Sequence, residues 1–175
     1  MARVAVVGVG AIGGVCAANL IAGGHDVICC VRTPFRELTL ESAGSVQTVP
    51  VRIETTPSSL PPVDWALLAT KAHQTEGAIE WLTGAHRIAV LQNGVEHVER
   101  LARWIEPARL VPVVIACPAS AGPPGHVVQR ARAQMTVADT RDARDFAALF
   151  ANTSIDAECT TDWPTAAWRK LCSNA

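Results

Sequence analysis

A glycine-rich turn between an apolar strand and an apolar helix constrains the fold of this 175-residue chain more than any other feature. The segment "RVAVVGVGAIGGVCAANLIAGG" begins with β-branched residues, passes through Gly8, Gly10 and Gly13, and continues at helical spacing as far as Gly23. A second apolar run, "DVICCV" (26–31), follows at once. Two strands joined by such a helix must be parallel, so the pattern predicts an opening βαβ unit.

Apolar runs and helical patterns alternate through most of the remaining chain. The expected strands are 63–70, 87–92, 109–116, 126–130, 134–139 and 155–159. The expected helices are 74–82, 95–104, 141–152 and one that begins after Asp162 as N-cap, with Pro164 in its first turn. Residues 45–56 are expected to form an extended excursion, and 57–62 a loop. Near-continuous apolar strands alternating with helices predict an α/β fold with a Rossmann-type, doubly wound parallel sheet.

The charge balance and the length of the apolar runs exclude two classes of partner. The 15 basic and 16 acidic residues leave a net charge of −1, so neither nucleic acid nor an anionic membrane is expected as a partner. The longest apolar runs, such as "VPVVIAC" (111–117), fall far short of the ~20 residues that span a bilayer. No signal-peptide cleavage region follows the N-terminal apolar run. We therefore expect a soluble cytoplasmic protein.

The cysteines are spaced unlike the ligands of a metal site. No C-x-x-C pair occurs, and no cysteine is grouped with histidines in a way that would suit zinc, so no metal is expected. Most of the cysteines lie in apolar runs, which predicts buried free thiols and a reducing compartment. They are Cys16, Cys29, Cys30, Cys117, Cys159 and Cys172.

The glycine turn has the spacing G-x-G-x-x-G in the context that dinucleotide binding requires. Gly8 would form the tight turn, Gly10 would let the backbone approach a pyrophosphate, and Gly13 would allow close packing of helix and strand. Ala11 and Ile12 complete the turn at the start of the helix, whose N-terminus favours phosphate. The alternative is a tight βα turn that binds no ligand.

The residue after the second strand indicates which dinucleotide the turn would hold. NAD sites place an Asp or Glu there to bind the ribose hydroxyls. This chain has Arg32 followed by Thr33, and a guanidinium beside a hydroxyl suits a 2′-phosphate. The pattern predicts NADP(H) over NAD(H), with a solvated surface arginine as the alternative.

Two polar residues follow neighbouring strands where ligands of parallel sheets bind. Lys71 lies in "TKAHQ" and Asn93 in "LQNG". Because the carboxyl ends of parallel strands meet at one edge, both side chains would face one crevice. A solvated turn lysine is the alternative for Lys71.

The last helix offers a third polar group. Lys170 and Asn174 are four residues apart and therefore share a helical face, which Trp163 and Ala167 continue. A lysine that merely extends from the surface into solvent is the alternative for Lys170.

Four segments together, "GVGAIGG", "TKAHQ", "LQNGVEH" and "WRKLCSNA", resemble the ketopantoate reductase family (2-dehydropantoate 2-reductase). The resemblance implies NADPH-dependent reduction of 2-dehydropantoate, a small 2-oxo acid, to pantoate on the route to pantothenate and coenzyme A. It implies that Lys170 is the catalytic lysine, that Asn174 contacts substrate, that Asn93 lies near nicotinamide and substrate, and that Lys71 helps to hold both. His73 departs from the family, whose members often carry an aromatic residue there.

The chemistry of that reaction suits a lysine. Hydride transfer to a ketone carbon leaves negative charge on the carbonyl oxygen, and an ammonium group can stabilise this charge and supply the proton. Lys170 is therefore expected to act as general acid.

The resemblance also implies a division of the chain. Residues 1–162 would form the NADP-binding Rossmann-type domain, and 163–175 would begin an all-helical domain whose remainder is missing. In the family that domain closes the cleft, adds substrate contacts and often makes the homodimer. Two alternatives stay open: an NADP(H)-binding module without turnover, and a reductase of another 2-oxo acid.

Overall fold

Two sheets and four α-helices make up the structure, a computed structural model that describes residues 1–42 and 44–173. The strands are β1 (Arg3–Val7), β2 (Asp26–Cys30), β3 (Glu37–Ser42), β4 (Ser45–Pro50), β5 (Arg52–Glu54), β6 (Val63–Leu68), β7 (Ala85–Val90), β8 (Leu110–Ala116), β9 (Ala119–Ala121), β10 (His126–Gln129), β11 (Gln134–Ala138) and β12 (Asp156–Thr160). The α-helices are α1 (Ala11–Ala22), α2 (His97–Leu101), α3 (Arg141–Ala148) and α4 (Trp163–Ser173). Short 3₁₀ helices cover Pro57–Ser59, Ala72–Gln74, Glu76–Leu82 and Pro107–Arg109.

The main sheet has the strand order β12-β11-β8-β7-β6-β1-β2-β5, and the six strands from β8 to β5 are parallel. The strand order reverses at β1, because the chain passes from β1 to β2 on one side and later returns to β6 on the other. The carboxyl ends are level, since Val7 pairs with both Cys30 and Leu68, and Leu68 pairs with Val90. Ligands of doubly wound sheets bind beside such a reversal. The predicted Rossmann-type fold is confirmed.

Apolar side chains cover both faces of the main sheet, as the continuous apolar strands predicted. On one face, α1 and α3 bury a cluster that includes Val4, Val6, Leu20, Leu67 and Phe146. On the other face, residues 76–82 and 97–105 cover a cluster that includes Val7, Ile28, Leu68, Leu82 and Leu101. The main sheet is therefore packed between two separate hydrophobic cores, which hold its strands in place.

A second, four-stranded sheet of order β4-β3-β10-β9 lies against α1. Helix α1 is apolar on all sides and is buried continuously from Gly13 to Leu20, as a helix enclosed between two layers should be. Gly14 permits this packing, because a Cβ there would overlap the Val127 side chain of β10. Strand β3 was not predicted from the sequence.

The last two strands of the main sheet run opposite to the other six. Strand β11 runs antiparallel to β8, with Gln134 opposite Ala116, and β12 is parallel to β11. After β8 the chain enters the second sheet through β9 and β10, and no crossover helix returns it to the amino edge before β11. A strand that starts at the carboxyl edge must then run backwards.

Two predicted helices are shorter or tighter than expected. The region 74–82 forms 3₁₀ turns, in which Thr75 donates its hydroxyl to the Ala72 carbonyl (2.7 Å), and the Ala78 N–H bonds to the Thr75 carbonyl. Hydroxyl bonding of this kind competes with the α-helical ladder. The predicted helix 95–104 is reduced to α2, which follows Gly94 with φ +127°.

Helix α4 packs on β8 and β11. Its N-terminus has the predicted cap, since Asp162 Oδ1 accepts a hydrogen bond from the Thr165 N–H (3.3 Å). Ala167 is buried in this contact, while Trp168 on another side of the helix is exposed. No helix of the described residues is long and apolar enough to cross a membrane.

The cysteines divide into three levels of exposure, all as free thiols. Cys16, Cys29 and Cys30 are buried as predicted, and Cys117 is half-buried. Cys159 and Cys172 are exposed, so the prediction was wrong for these two. No cluster of three or more His, Cys, Asp or Glu residues suited to a metal occurs within 1–42 and 44–173.

Candidate functional site

The glycine turn joins β1 to α1 at the carboxyl edge of the main sheet. Gly8 has φ +91°, a left-handed conformation that favours glycine, and its N–H bonds to the Cys30 carbonyl (3.1 Å). A Cβ on Gly8 would lie 2.8 Å from Thr70 Cγ2, and one on Gly13 would overlap the Gly8 carbonyl oxygen. Both glycines are therefore required by close packing within the protein itself.

Gly10 differs from its neighbours because the space beside it is open. Apart from Gly10 and its two chain neighbours, no atom of the described residues lies within 4 Å of the position that a Cβ on Gly10 would take, and the residue is exposed. Gly10 is also the N-cap of α1, and no side chain in the described ranges caps it. The N–H groups of Ala11, Ile12 and Gly13 thus begin a helix with room for an anionic group in front of it.

Arg32 lies just beyond the end of β2, at the same edge as the glycine turn. The side chain is exposed, as are those of Thr33 and Pro34. No ion pair found within 1–42 and 44–173 includes Arg32. Its guanidinium can therefore meet a ligand without first breaking a salt bridge.

Lys71 and Asn93 follow β6 and β7, and both are exposed. Their strands are adjacent and level, since Leu68 pairs with Val90. The structure thus brings the two residues to neighbouring positions on one edge, as the sequence predicted. Arg32 lies three strand spacings from Asn93 along this edge, about 14 Å at the usual spacing between strands. An elongated ligand would be needed to reach both.

The loops that carry Lys71 and Asn93 meet over the buried side chain of Gln92, which is 4 % exposed. Gln92 Nε2 donates to Thr75 Oγ1 (2.9 Å) and to Thr70 Oγ1 (3.1 Å), with the Lys71 carbonyl oxygen at 3.4 Å. Gln92 Oε1 accepts from Arg100 Nη2 (3.0 Å). The two loops are therefore joined by side-chain hydrogen bonds in addition to the strand ladder.

His97 adds a hydrogen bond to the backbone of Gln92. Its Nε2 donates to the Gln92 carbonyl oxygen (2.7 Å), because a carbonyl can only accept. Its Nδ1 is buried and has no hydrogen-bond partner among the described residues. Burial lowers the pKa of His97, and the nearby Arg100 charge acts in the same direction. His97 is thus a neutral ring that holds the backbone beside Asn93.

Lys170 reaches the same edge from α4. It lines a small cleft together with Asn93, Gly94 and Ile115, and its side chain is half-buried. A cation and an amide therefore lie at one cleft beyond β7 and β8. Asn174, the other residue predicted on this helical face, lies outside the described residues.

Sequence reasoning identified the exposed polar residues of this edge and missed their support. The sequence pattern assigned no role to Gln92, Thr75, His97 or Arg100. A weak signal was present, because His97 and Arg100 are three residues apart and thus share a face of α2 near its start.

The arrangement has two chemical capacities. At one end, Gly10, the N-terminus of α1 and Arg32 offer room, N–H donors and positive charge for phosphate groups. At the other end, Lys170 can place an ammonium group beside a reacting oxygen, and Asn93 can offer amide hydrogen bonds. An edge of this kind suits a phosphate-bearing cofactor together with a small polar substrate.

Two relatives in sequence are 2-dehydropantoate 2-reductases. The chain is 42 % identical over 180 residues to the 2-dehydropantoate 2-reductase of Caulobacter vibrioides, an alignment that covers 99 % of this chain and 62 % of that protein. It is 37 % identical over 178 residues to the 2-dehydropantoate 2-reductase of Mycobacterium tuberculosis, which covers 98 % and 60 %. The chain thus spans about three fifths of the length of these relatives.

A solved structure agrees in fold. The crystal structure of 2-dehydropantoate 2-reductase from Geobacter metallireducens superposes with a TM-score of 0.91 at 27 % identity, over 98 % of this chain and 62 % of that one. The family model described as "Ketopantoate reductase PanE/ApbA" matches residues 4–142. These residues include the glycine turn and the loops that carry Lys71 and Asn93. With this match over most of its length, the chain belongs to the ketopantoate reductase PanE/ApbA family.

Proposed function

We propose that the protein carries the cofactor-binding and proton-donating part of an NADPH-dependent reductase that converts 2-dehydropantoate to pantoate in pantothenate and coenzyme A biosynthesis. The observation that carries this proposal is the cleft at which Asn93 and Lys170 meet, at the edge that also bears the glycine turn. The family and the shared name of the relatives support the substrate.

The glycine turn fits a dinucleotide. The open space beside Gly10 would admit a pyrophosphate against the backbone, and the N–H groups of Ala11, Ile12 and Gly13 would donate to it. Gly8 and Gly13 shape the turn through their contacts with Thr70 and with each other. These features support cofactor binding at this turn.

Arg32 would select the phosphorylated cofactor. Its exposed guanidinium follows β2, where a 2′-phosphate would lie, and Thr33 adds a hydroxyl. No carboxylate occupies either position to bind unmodified ribose hydroxyls. We therefore infer NADP(H) as the cofactor.

In the proposed mechanism, NADPH supplies a hydride to the ketone carbon when it is bound. Lys170 would face the carbonyl oxygen, stabilise the negative charge that develops there and donate a proton to complete the alcohol. Asn93 would orient substrate and nicotinamide through its amide, and Lys71 would add positive charge toward cofactor and substrate. Asn174 would contribute a further substrate contact, as the family resemblance implies.

A second candidate is an NADP(H)-binding module without turnover. It is favoured by the share of the relatives that this chain spans, 62 % of the Caulobacter protein. On our proposed division, residues 1–162 bind the cofactor and 163–175 begin the helical domain. A homodimer through that domain stays a prediction.

One assay separates these candidates. NADPH oxidation is followed by absorbance with the 175-residue chain, first with 2-dehydropantoate and then with a panel of other 2-oxo acids. Oxidation with 2-dehydropantoate supports the proposed reaction, and oxidation only with another oxo acid reassigns the substrate. NADPH binding in a fluorescence titration without any oxidation supports the module.

Lys170→Ala tests the proton donor. We expect kcat to fall by about 10²–10⁴-fold, the usual contribution of a general acid, while the Kd for NADPH changes little. Stopped-flow oxidation of NADPH measures the first quantity, and a fluorescence titration measures the second.

Arg169→Ala is the matched control, because Arg169 is an exposed cation next to Lys170 on α4. Its kcat is expected to stay near that of the unmodified chain. An unchanged kcat in Lys170→Ala would reject the role assigned to Lys170. If the 175-residue chain does not oxidise NADPH, both variants are measured in a longer form of the protein that does.

A further inference from the structure

The side chain of Gln92 is bonded to more of the candidate site than any other buried polar group in the described part of the chain. Through Nε2 it meets Thr70 and Thr75, and through Oε1 it meets Arg100. Thr70 and Thr75 flank Lys71 on the neighbouring loop, and Asn93 is the next residue after Gln92. One amide therefore links the loop that carries Lys71 to the loop that carries Asn93 and lines the cleft with Lys170.

The chemistry of its partners fixes the orientation of this amide. Arg100 can only donate, so the atom that faces it must be the oxygen of Gln92. The Lys71 carbonyl can only accept, so the atom that faces it must be the nitrogen. A flipped amide would oppose like groups on both sides. The amide of Gln92 therefore has a single orientation. We call its hydrogen bonds between the Lys71 loop and the Asn93 loop the clamp.

The same amide also contacts the glycine turn indirectly, through Thr70. Thr70, which accepts from Gln92 Nε2, lies so close to Gly8 that a Cβ there would be 2.8 Å from Thr70 Cγ2. A shift of Thr70 would press on the turn in front of α1. The Gln92 carbonyl is held in turn by His97. The phosphate end and the lysine end of the edge are thus connected through one residue.

Burial alone does not create such a link. Gln129 is 6 % exposed, comparable to Gln92, yet among the described residues its Nε2 donates only to the Ala131 carbonyl two residues away. Gln129 lies on β10 in the second sheet, away from the carboxyl edge of β6 and β7. Gln129 is therefore a suitable control, because loss of its amide should affect only its own surroundings in the second sheet.

We propose that Gln92 is a positioning residue, whose side-chain amide fixes Lys71 and Asn93 relative to each other and to the glycine turn. This role rests on the proposed function for its effect on cofactor binding. Its effect on the two loops follows from the hydrogen bonds alone. Without the amide, Thr75 and the Lys71 carbonyl lose the hydrogen bonds that join them to Gln92, so the two loops can move independently of each other.

Gln92→Met, which keeps the length and removes the polar atoms, is compared with Gln129→Met. Two quantities are measured: the Kd for NADPH, and amide hydrogen exchange over residues 69–75 and 92–97. We expect Gln92→Met to raise the Kd at least about tenfold and to speed exchange in both loops, since small misplacements of binding groups are costly. Gln129→Met should leave both quantities within about twofold of the unmodified chain.

A second pair isolates a single hydrogen bond of the clamp. Thr70→Val keeps the shape and removes the acceptor of Gln92 Nε2, whereas Thr70→Ser keeps the hydroxyl. We expect Thr70→Val to raise the Kd and Thr70→Ser to restore it, a rescue that a loss of packing would not give. This pair also decides the matter if Gln92→Met fails to fold.

The outcomes separate the two proposals. If the unmodified chain binds NADPH and Gln92→Met matches Gln129→Met in Kd and in exchange, the positioning role is overturned and the proposed function stands. If the unmodified chain does not bind NADPH, the proposed function fails. Exchange over 69–75 and 92–97 then still supports or overturns the clamp.

Discussion

Arg32 makes a prediction that belongs to a single side chain. Replacing it by glutamine removes the charge while keeping much of the length, so a 2′-phosphate would lose its charge-assisted hydrogen bonds. We expect the Kd for NADPH to rise about 10- to 100-fold, the equivalent of one such bond, and the Kd for NADH to change little. Fluorescence titrations with both cofactors measure this.

Arg36→Gln serves as control, because Arg36 is an exposed arginine of the same loop, four residues further along. It should leave the ratio of the two Kd values unchanged. Equal affinities of the unmodified chain for NADPH and NADH, or a preference for NADH, would contradict the assignment.

His97 makes the chain sensitive to acid. Its pKa in the folded state is lowered from 6.5, mainly by burial, and the Arg100 charge acts in the same direction. The hydrogen bond to the Gln92 carbonyl is the largest opposing effect, followed by the Asn93 backbone and the Glu99 charge. The unfolded chain therefore binds a proton that the folded chain rejects. The free energy of unfolding is expected to be full above about pH 6.5 and to decline as the pH falls below it. Urea denaturation at pH 7.5, 6.5 and 5.5 measures this decline.

His97→Gln removes the titrating ring, so the decline specific to His97 should disappear. His73→Gln, which removes an exposed ring on the neighbouring loop, is the matched control and should retain the decline caused by His97. If the His97→Gln chain lost stability toward acid as steeply as the unmodified one, the assigned cause would be wrong.

At this scale the sequence was informative where side chains are exposed. Lys71 and Asn93 could be predicted because each directly follows an apolar run, and the ends of parallel strands meet. The bonds of Gln92 could not, since they join residues up to 22 positions apart across two loops. Asn174 was predicted on the same reasoning as Lys170, and it lies outside the described residues.

The turn between β1 and α1 is an element whose glycines have different tasks, and substitution separates them. Gly13→Ala would force a Cβ onto the Gly8 carbonyl oxygen and should cost about 1–3 kcal/mol of stability or more. Gly10→Ala meets no described residue beyond its chain neighbours, so the variant should lose no more than about 1 kcal/mol, the cost of alanine in place of glycine at an N-cap. The same Cβ would fill the space proposed for the pyrophosphate, and the Kd for NADPH should rise at least about tenfold.

Urea denaturation and NADPH titration distinguish the two variants. Gly84→Ala is the control, because Gly84 has equally open surroundings at the amino edge of β7. It should change neither quantity. Normal NADPH binding by Gly10→Ala would show that the cofactor does not approach this glycine.

The elements that the sequence predicted well are those formed by local pattern. β1, α1, β2, β6 and β7 are continuous apolar runs or helices bounded by glycine, and their boundaries were close. β3 was missed because "ELTLES" carries few apolar residues, and it is stabilised by parallel pairing with β10, far along the chain. The direction of β11 depends on how the chain leaves the second sheet, which no local pattern contains.

Over the whole molecule, thiol reactivity reports the integrity of the fold. Burial raises the pKa of Cys29 and of Cys30 to about 12 and that of Cys117 to about 11, and the pKa of Cys16 is raised furthest. Thiolates are the reactive form, so these four should react slowly. We expect two fast thiols, Cys159 and Cys172, in a reaction with Ellman's reagent, and six in denaturant.

The Cys159→Ser, Cys172→Ser double variant is the control and should show no fast phase. Its slow reaction should match that of the unmodified chain. Fast release of more than two thiols by the native chain would mean that the layers around α1 and β2 open readily.

The enclosure of α1 between two sheets has a consequence for the thermodynamics of ligand binding. A helix held on all sides has its backbone entropy removed when the chain folds, so an anion at its N-terminus meets donors that are already aligned. Binding of an anion at this helix should therefore require little further ordering of the protein and should show a small change in heat capacity. The second sheet, which contributes no residue to the candidate site, would thus contribute to affinity through rigidity alone.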